Sequence, residues 1–338
     1  MFFPSNLLLG KTSTKNLLTQ AISLYKQVSS TPKSYNTPLG IARHLNSINA
    51  DMFDYLVLEF GTSSPGDIKR IKSLVPPNIA FITDIGYMHI ENFKTKEKLI
   101  KEKLSILDGT YKAIVNYDVE WIRDNIDYNG LLITYGFSHG DYIAKNIHDG
   151  YFDVLYKGEL IGTFKSELVG KHQILNLLGV IAFIHSEGFD LNVLRRGIPL
   201  FKGVPNRIEK KRINNITILD DSYNSNPKGF IEALSILKDL PRPRYLITPG
   251  IVELGKYKKE VYNMLIPYII DSVDSVVLVG KFNTMYLYKH LKSYNININQ
   301  ISSFKEAYNL FKQESSNYDE CSLLIENDLP DIYRIGIN

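Results

Sequence analysis

Two stretches of this chain alternate short apolar runs with longer amphipathic segments, and no other feature narrows the fold as much. Strands alternating with helices build parallel sheets whose faces are covered by the helices. In the first stretch the strand candidates are residues 55–60, 78–83, 113–116 and 131–135, with helical segments at 15–28, 65–74 and 96–107. In the second stretch the strands fall at 216–221, 245–248, 275–279 and 323–325, with helices at 227–240, 258–273, 284–293 and 304–314. Between the stretches, YFDVLYKGELIGTF alternates around a Lys-Gly-Glu turn, the pattern of a hairpin, and residues 172–188 read as a buried helix that ends at a glycine. The Gly- and Pro-containing FKGVPNR marks the break. The expectation is an α/β protein of two Rossmann-like domains, residues 1–204 and 205–338, with mostly parallel sheets and a small antiparallel hairpin in the first.

Composition excludes several classes of function. Lys and Arg number 39 against 36 Asp and Glu, a net charge of +3, far from the concentrated basic face that nucleic-acid binding needs. The single cysteine, Cys321, rules out an internal disulfide and suits a reducing compartment. No apolar run approaches the roughly 20 residues that span a bilayer. The first ten residues carry no basic n-region and no small-residue cleavage site. A cytoplasmic location is expected, with neither nucleic acid nor membrane as a partner.

The residues able to carry chemistry sit at the ends of the expected strands. Gly10-Lys11-Thr12 opens a helical segment, where backbone N–H groups, a lysine and a hydroxyl suit phosphate and magnesium. The glycine usual five residues before Gly10 is Ser5, and the feeding strand would have to come from MFFPSN, which contains a proline. Glu59 ends a strand in YLVLEFGTSSPGDI, at the edge where parallel α/β sheets collect ligands. His89 follows the next strand in ITDIGYMHIENF, and Lys103 lies on the helix after it. A carboxylate and a neutral imidazole can share a magnesium ion with phosphate and water. Lys103 stands in a run with Lys94, Lys96, Lys98 and Lys101 that reads, on the residues alone, as a solvated helix face. Lys210, Lys211 and Arg212 read as a solvated strand edge.

The order of these motifs, GKTSTK, SYNTPLG, LEFGTSS, ITDIGYMHIENF, GKHQILN, GVPNRIE, ILDDSYNSNP and TPGIVELG, resembles the Mur ligase family, in particular the branch that adds D-alanyl-D-alanine to a cell-wall (peptidoglycan) precursor. The resemblance runs from about Gly10 to the ENDLPD segment, and DDSYNSNP is its most specific part. It implies an ATP- and Mg2+-dependent ligase that joins a small-molecule or peptide-like carboxylate to an amine through an acyl phosphate. By the same resemblance, Gly10, Lys11 and Thr12 cradle phosphate, and Thr12 holds magnesium. Glu59 and His89 form a second magnesium site, joined by Lys103 as a carbamate, which would turn a cation into a carboxylate-like ligand. Asn176 lies near the adenine, with Gln173 in place of the family's first Asn. Arg207 reaches the phosphates, where a planar guanidinium fits. Asp221 approaches the nucleotide, with Tyr223, Asn224 and Asn226 shaping that contact. ATP is expected between the two domains, with residues 203–206 as the hinge.

Several positions depart from the family pattern. The loop reads NLLLGKT, with Leu7 where a glycine allows close approach to phosphate. Asp84 replaces the Asn of a TNIG-type loop, and ENDLPD replaces a lysine-containing turn. The family's first, substrate-binding domain would precede Gly10, so a protein partner supplying it is a further expectation. These departures keep open a degenerate, non-catalytic nucleotide- or partner-binding protein of the same fold.

Overall fold

The computed structural model describes residues 12–32, 35–205, 207–222 and 226–327, together with the backbone of residues 5–9. They divide into two compact units, Met1–Val204 and Pro205–Asn338. Among the described residues of the first unit, nine strands form one sheet: β1 (Ser5–Leu9), β2 (Val28–Ser30), β3 (Tyr55–Glu59), β4 (Ile79–Ile82), β5 (Lys112–Asn116), β6 (Leu131–Gly136), β7 (Tyr142–His148), β8 (Tyr151–Tyr156) and β9 (Glu159–Lys165). Their order is β2-β3-β1-β4-β5-β6-β7-β8-β9. Pairing is parallel from β2 to β7 and antiparallel from β7 to β9. The chain therefore runs from the central β1 out to β2 and β3 on one side, then crosses to β4 on the other. That reversal opens a crevice at the carboxyl end of β1, where ligands of open α/β sheets bind.

Alternation of side chains across the strands builds two apolar layers. Tyr55, Val57, Ile79, Phe81, Ile114 and Tyr135 face the helices Thr12–Ser23 and Lys171–Ser186. Leu56, Leu58, Ala80, Ile82, Ala113 and Val115 face the helices Pro38–Ser47, Asp67–Leu74 and Lys96–Leu104. Strands buried on both faces read as continuous apolar runs, which is why 55–60 and 78–83 stood out. The helix Lys171–Ser186 is tied at both ends. Near its start Thr14 Oγ1 donates to Asn176 Oδ1 at 3.0 Å, and beyond its end Glu187 accepts from Tyr55 Oη at 2.7 Å and pairs with Lys112.

Two expectations are corrected here, and the expected hairpin is present. The strand feeding the Gly10 loop is Ser5–Leu9, which takes only Ser5 and Asn6 from MFFPSN and runs on through three leucines. The first helix begins at Thr12, not at 15, and stops at Ser23, leaving Val28 to pair with Tyr55 in a short strand. The 151–165 hairpin forms with Lys157 and Gly158 both at positive φ, and β7 extends it to three strands.

In the second unit six strands among the described residues, β10 (Glu209–Ile213), β11 (Ile216–Asp221), β12 (Arg244–Thr248), β13 (Ser275–Val279), β14 (Asn297–Ile301) and β15 (Cys321–Glu326), form a sheet in the order β10-β11-β15-β12-β13-β14. All its pairs are parallel except β10 with β11. The helix Phe304–Ser315 covers one face over Ile218, Tyr245, Ile247, Val277 and Leu323. The cationic β10 is an edge strand, with Lys211 paired to Glu209 at 3.1 Å and Asp220 at 3.4 Å.

Gly179 lies where the helix Lys171–Ser186 crosses the sheet, and a Cβ there would sit 2.7 Å from the Tyr135 ring and 3.0 Å from the Phe81 ring. Gly179→Ala is expected to destabilise the protein by about 1–3 kcal/mol through overpacking, outweighing the roughly 1 kcal/mol that alanine gains over glycine in a helix. Urea denaturation measures the difference; a gain in stability would contradict the close packing.

Candidate functional site

The crevice at β1 is lined by polar groups that the surrounding fold buries. Thr12, Lys15, Thr31 and Glu59 are only 6%, 4%, 2% and 6% exposed. Thr12 Oγ1 donates to Glu59 Oε1 at 3.1 Å, and Asn36 Nδ2 reaches the same oxygen at 3.4 Å. Lys15 Nζ lies 3.3 Å from Glu59 Oε2 and donates to Thr31 Oγ1 at 3.4 Å. Thr31 Oγ1 also accepts from the Glu59 backbone N–H at 3.4 Å. The strand β3 thus delivers a buried carboxylate to the first turn of the helix that follows β1. Asn36 is brought in because Gly61 carries no side chain: a Cβ there would meet the Asn36 amide at 2.8 Å. Burial, and after it the positive charge of Lys15, hold the pKa of nearby His44 below its ordinary value.

Several buried polar atoms around this crevice accept or donate no hydrogen bond. Glu59 Oε2 has the Lys15 ammonium near it without hydrogen-bond geometry, and Thr62 Oγ1, Thr83 Oγ1 and Gln173 Oε1 have no hydrogen-bond partner among the described residues. Glu59, Thr62 and Thr83 follow or end the strands β3 and β4 on either side of β1. Buried polar atoms normally find partners, so these exceptions at the carboxyl ends of β3 and β4 suit a polar ligand there. A carboxylate oxygen beside hydroxyls is a hard-oxygen donor set, the kind magnesium takes together with phosphate and water. Among the described residues no group of three or more His, Cys, Asp and Glu side chains is placed to hold a metal ion.

The other expected residues are placed as follows. His89 precedes the short helix Ile90–Phe93 with φ 61° and ψ 14°, a left-handed conformation that is uncommon for a side-chain-bearing residue and clusters at functional sites. Its loop is clamped by Tyr87 and Trp121, whose rings meet at 5.1 Å, with Lys96 over both rings at 5.1 and 5.3 Å. Lys103 is half-buried near the end of the helix Lys96–Leu104. The lysine run is therefore no uniform solvated face: Lys96 sits on aromatic rings, Lys98 and Lys101 line a groove with Lys69 and Lys72, and Lys103 is partly enclosed. Beside Lys103, Glu102 accepts from the backbone N–H groups of Gly66 and Ile68 at 2.9 and 3.0 Å, capping the helix Asp67–Leu74. Asn176 joins the first helix through Thr14. In the second unit, the Ile208 N–H donates to Asp221 Oδ1 at 3.2 Å, which ties the residue after Arg207 to Asp221. Asn226 caps the helix Pro227–Lys238, accepting from Gly229 at 3.0 Å. Gly10, Lys11, Tyr223 and Asn224 lie outside the described residues.

Sequence inspection missed Lys15, Thr31 and the role of Asn36. A signal for Lys15 was present. A lysine in the first turn of a helix opposes the helix dipole, which marks the position as unusual without naming its partner. It also missed Asn327, whose backbone N–H reaches Asp221 O at 3.3 Å and whose side chain donates to Gly250 O, tying the ends of β11, β15 and β12. The ENDLPD departure thus begins with a buried Glu326 and this tie.

Comparison with known proteins gives the family. The Mur ligase middle domain matches residues 9–184 and the Mur ligase glutamate ligase domain matches residues 206–323. The chain belongs to the Mur ligase family. Among its relatives is the UDP-N-acetylmuramoyl-tripeptide–D-alanyl-D-alanine ligase of Escherichia coli (strain K12), 28% identical over 80% of this chain and 63% of the relative. The enzyme of the same name from Bacillus subtilis (strain 168) is 24% identical over 94% of this chain and 70% of its own length. The chain therefore spans roughly two thirds of the length of these relatives. The solved MurF ligase of Thermotoga maritima in complex with ADP superposes with a TM-score of 0.82 at 22% identity, covering 96% of this chain and 77% of that one. A pseudomurein peptide ligase type C from Methanothermus fervidus gives 0.78 at 18% identity, covering 96% and 76%. No helix among the described residues is long and apolar enough to cross a membrane.

Two substitutions test the placement of the loop and helix that carry His89 and Lys103. Glu102→Ala is expected to lower stability by about 1–3 kcal/mol in urea denaturation, since two backbone donors lose a charged acceptor; unchanged stability would mean that water replaces it. His89→Gly is expected to raise stability by about 1 kcal/mol by relieving the left-handed conformation. A lower thermal midpoint for His89→Gly would contradict that strain.

Proposed function

We propose that this chain uses ATP and magnesium to form an amide bond between a carboxylate and an amine through an acyl phosphate, with a peptidoglycan-precursor peptide and D-alanyl-D-alanine as the leading substrate pair. The observation that carries it is the buried Thr12–Glu59–Lys15 cluster at the crevice of β1, with Glu59 Oε2 and Thr83 Oγ1 left without hydrogen bonds. Membership of the Mur ligase family and the names of the relatives supply the substrate class.

In the proposed reaction the substrate carboxylate attacks the γ-phosphorus of ATP, the bond to the β–γ bridging oxygen breaks, and ADP leaves. The amine then attacks the acyl carbon, the carbon–oxygen bond to phosphate breaks, and the amine gives up a proton as the amide forms. Phosphoryl transfer of this kind needs positioning and charge neutralisation rather than protein nucleophiles. Gly10 and Lys11 would cradle phosphate at the start of the first helix. Thr12 and Glu59 would hold one magnesium ion, and His89 and Lys103, the latter as a carbamate, would share a second with Glu59. When bound, magnesium supplies positive charge against the phosphate oxygens. Asn176, with its carbonyl oxygen fixed by Thr14, would orient the adenine. From the second unit, Arg207 would meet phosphate and Asp221 the nucleotide, with Tyr223 and Asn224 beside it.

The test is ADP release by the purified chain with ATP, magnesium, UDP-muramoyl-tripeptide and D-alanyl-D-alanine, scanning other acids and amines alongside. Release that requires both acid and amine is expected, and Thr12→Val is expected to lower kcat/KM by about 100-fold or more, the range seen when one transition-state donor is removed. A well-folded chain that binds nucleotide but releases no ADP with any acid and amine would instead make it a nucleotide-binding relative without turnover.

A further inference from the structure

The buried lysine of this crevice has a task that the ligase reaction does not itself require. Lys15 projects from the first turn of the helix Thr12–Ser23, where the helix dipole disfavours a cation. It is 4% exposed, so its charge is withdrawn from water, and its ammonium lies 3.3 Å from Glu59 Oε2. The contact is an ion pair without hydrogen-bond geometry: Lys15 donates to Thr31, and Glu59 Oε2 accepts no hydrogen bond among the described residues. The other oxygen, Oε1, takes Thr12 at 3.1 Å and Asn36 at 3.4 Å. The carboxylate is therefore neutralised by Lys15, yet the oxygen facing Lys15 keeps its lone pairs available to another cation. Removing one partner of a buried ion pair leaves the other uncompensated, so this pair holds the Glu59 side chain in place.

We propose that Lys15 is a tethered counter-cation that holds Glu59 when no metal ion is bound there and that must give up the carboxylate when one arrives. The proposal rests on the assignment of Glu59 as a magnesium ligand. Its consequence is an order of events. A divalent cation alone competes with a covalently attached ammonium for Glu59 and binds weakly. A metal–nucleotide complex brings phosphate, which offers the displaced ammonium a new anionic partner, so metal and nucleotide enter together. Lys15 is a positioning residue in this scheme; it touches the metal's ligand and not the reacting atoms.

The experiment measures Mn2+ binding to the full chain in the absence of nucleotide, from the spectroscopic signal of free Mn2+, together with thermal midpoints in chelator and in Mn2+. Lys15→Met is expected to bind Mn2+ at least tenfold tighter than the wild type, while Lys15→Arg binds as weakly as the wild type. The midpoint of Lys15→Met should fall in chelator and recover with Mn2+. Lys15→Met/Glu59→Gln should lose both the tight binding and the recovery, because no unpaired carboxylate is left. If Lys15→Met folds only with metal present, unfolding on chelation that the double variant escapes gives the same support. Lys15→Met binding Mn2+ no tighter than the wild type, while Glu59→Gln still weakens binding, would overturn the role of Lys15 and leave Glu59 as a metal ligand. Tight binding by Lys15→Met that survives Glu59→Gln would instead overturn the metal assignment of Glu59 itself.

Discussion

A carboxylate buried at the carboxyl end of β3 obliges the chain to surround it with donors and a cation, and the rest of the first unit follows from how that is done. Thr12 and Lys15 come from the first turn of one helix, Asn36 from the loop before another, and Thr31 from the end of β2. Breaking a buried ion pair by removing one partner typically costs about 3–5 kcal/mol, so these four segments cannot drift independently. Because Thr14 also grips Asn176, the start of the helix Lys171–Ser186 is registered on the same knot. The result is a crevice, at the point where the strand order reverses, lined by buried polar groups that hold one another in place.

The flanking loop and helix show a second constraint, local strain held by packing. His89 keeps a left-handed backbone between an aromatic clamp and the short helix Ile90–Phe93. Glu102 fixes the helix carrying Lys103 by capping its neighbour. Such positions persist only where the surroundings over-determine them.

Much of this was legible in the sequence. The doubly buried strands 55–60, 113–116, 216–221 and 275–279 declared themselves because parallel strands need apolar residues on both faces. The helix Pro38–Ser47 was missed although Thr37 and Pro38 announce a cap and first turn. β7 was missed because the ladder shifts register between Lys145 and His148, with Asn146 at positive φ, which breaks its alternation. Glu59 and Thr12 could be picked out from strand ends and motif spacing, and they do meet. Lys15 could not be assigned, since its meaning depends on a partner 44 positions away that only tertiary packing brings near. The hydrogen bond from Ile208 to Asp221 and the tie made by Asn327 are equally non-local.

The central claim is that the crevice at β1 binds ATP with magnesium. Calorimetric titration of the purified chain with a non-hydrolysable ATP analogue and magnesium tests it most directly, with Lys11→Ala and Glu59→Gln beside the wild type. Micromolar binding by the wild type that is lost or weakened at least tenfold in both variants is the predicted result. Absence of binding by a cooperatively folded wild-type chain, or binding indifferent to both substitutions, would contradict it.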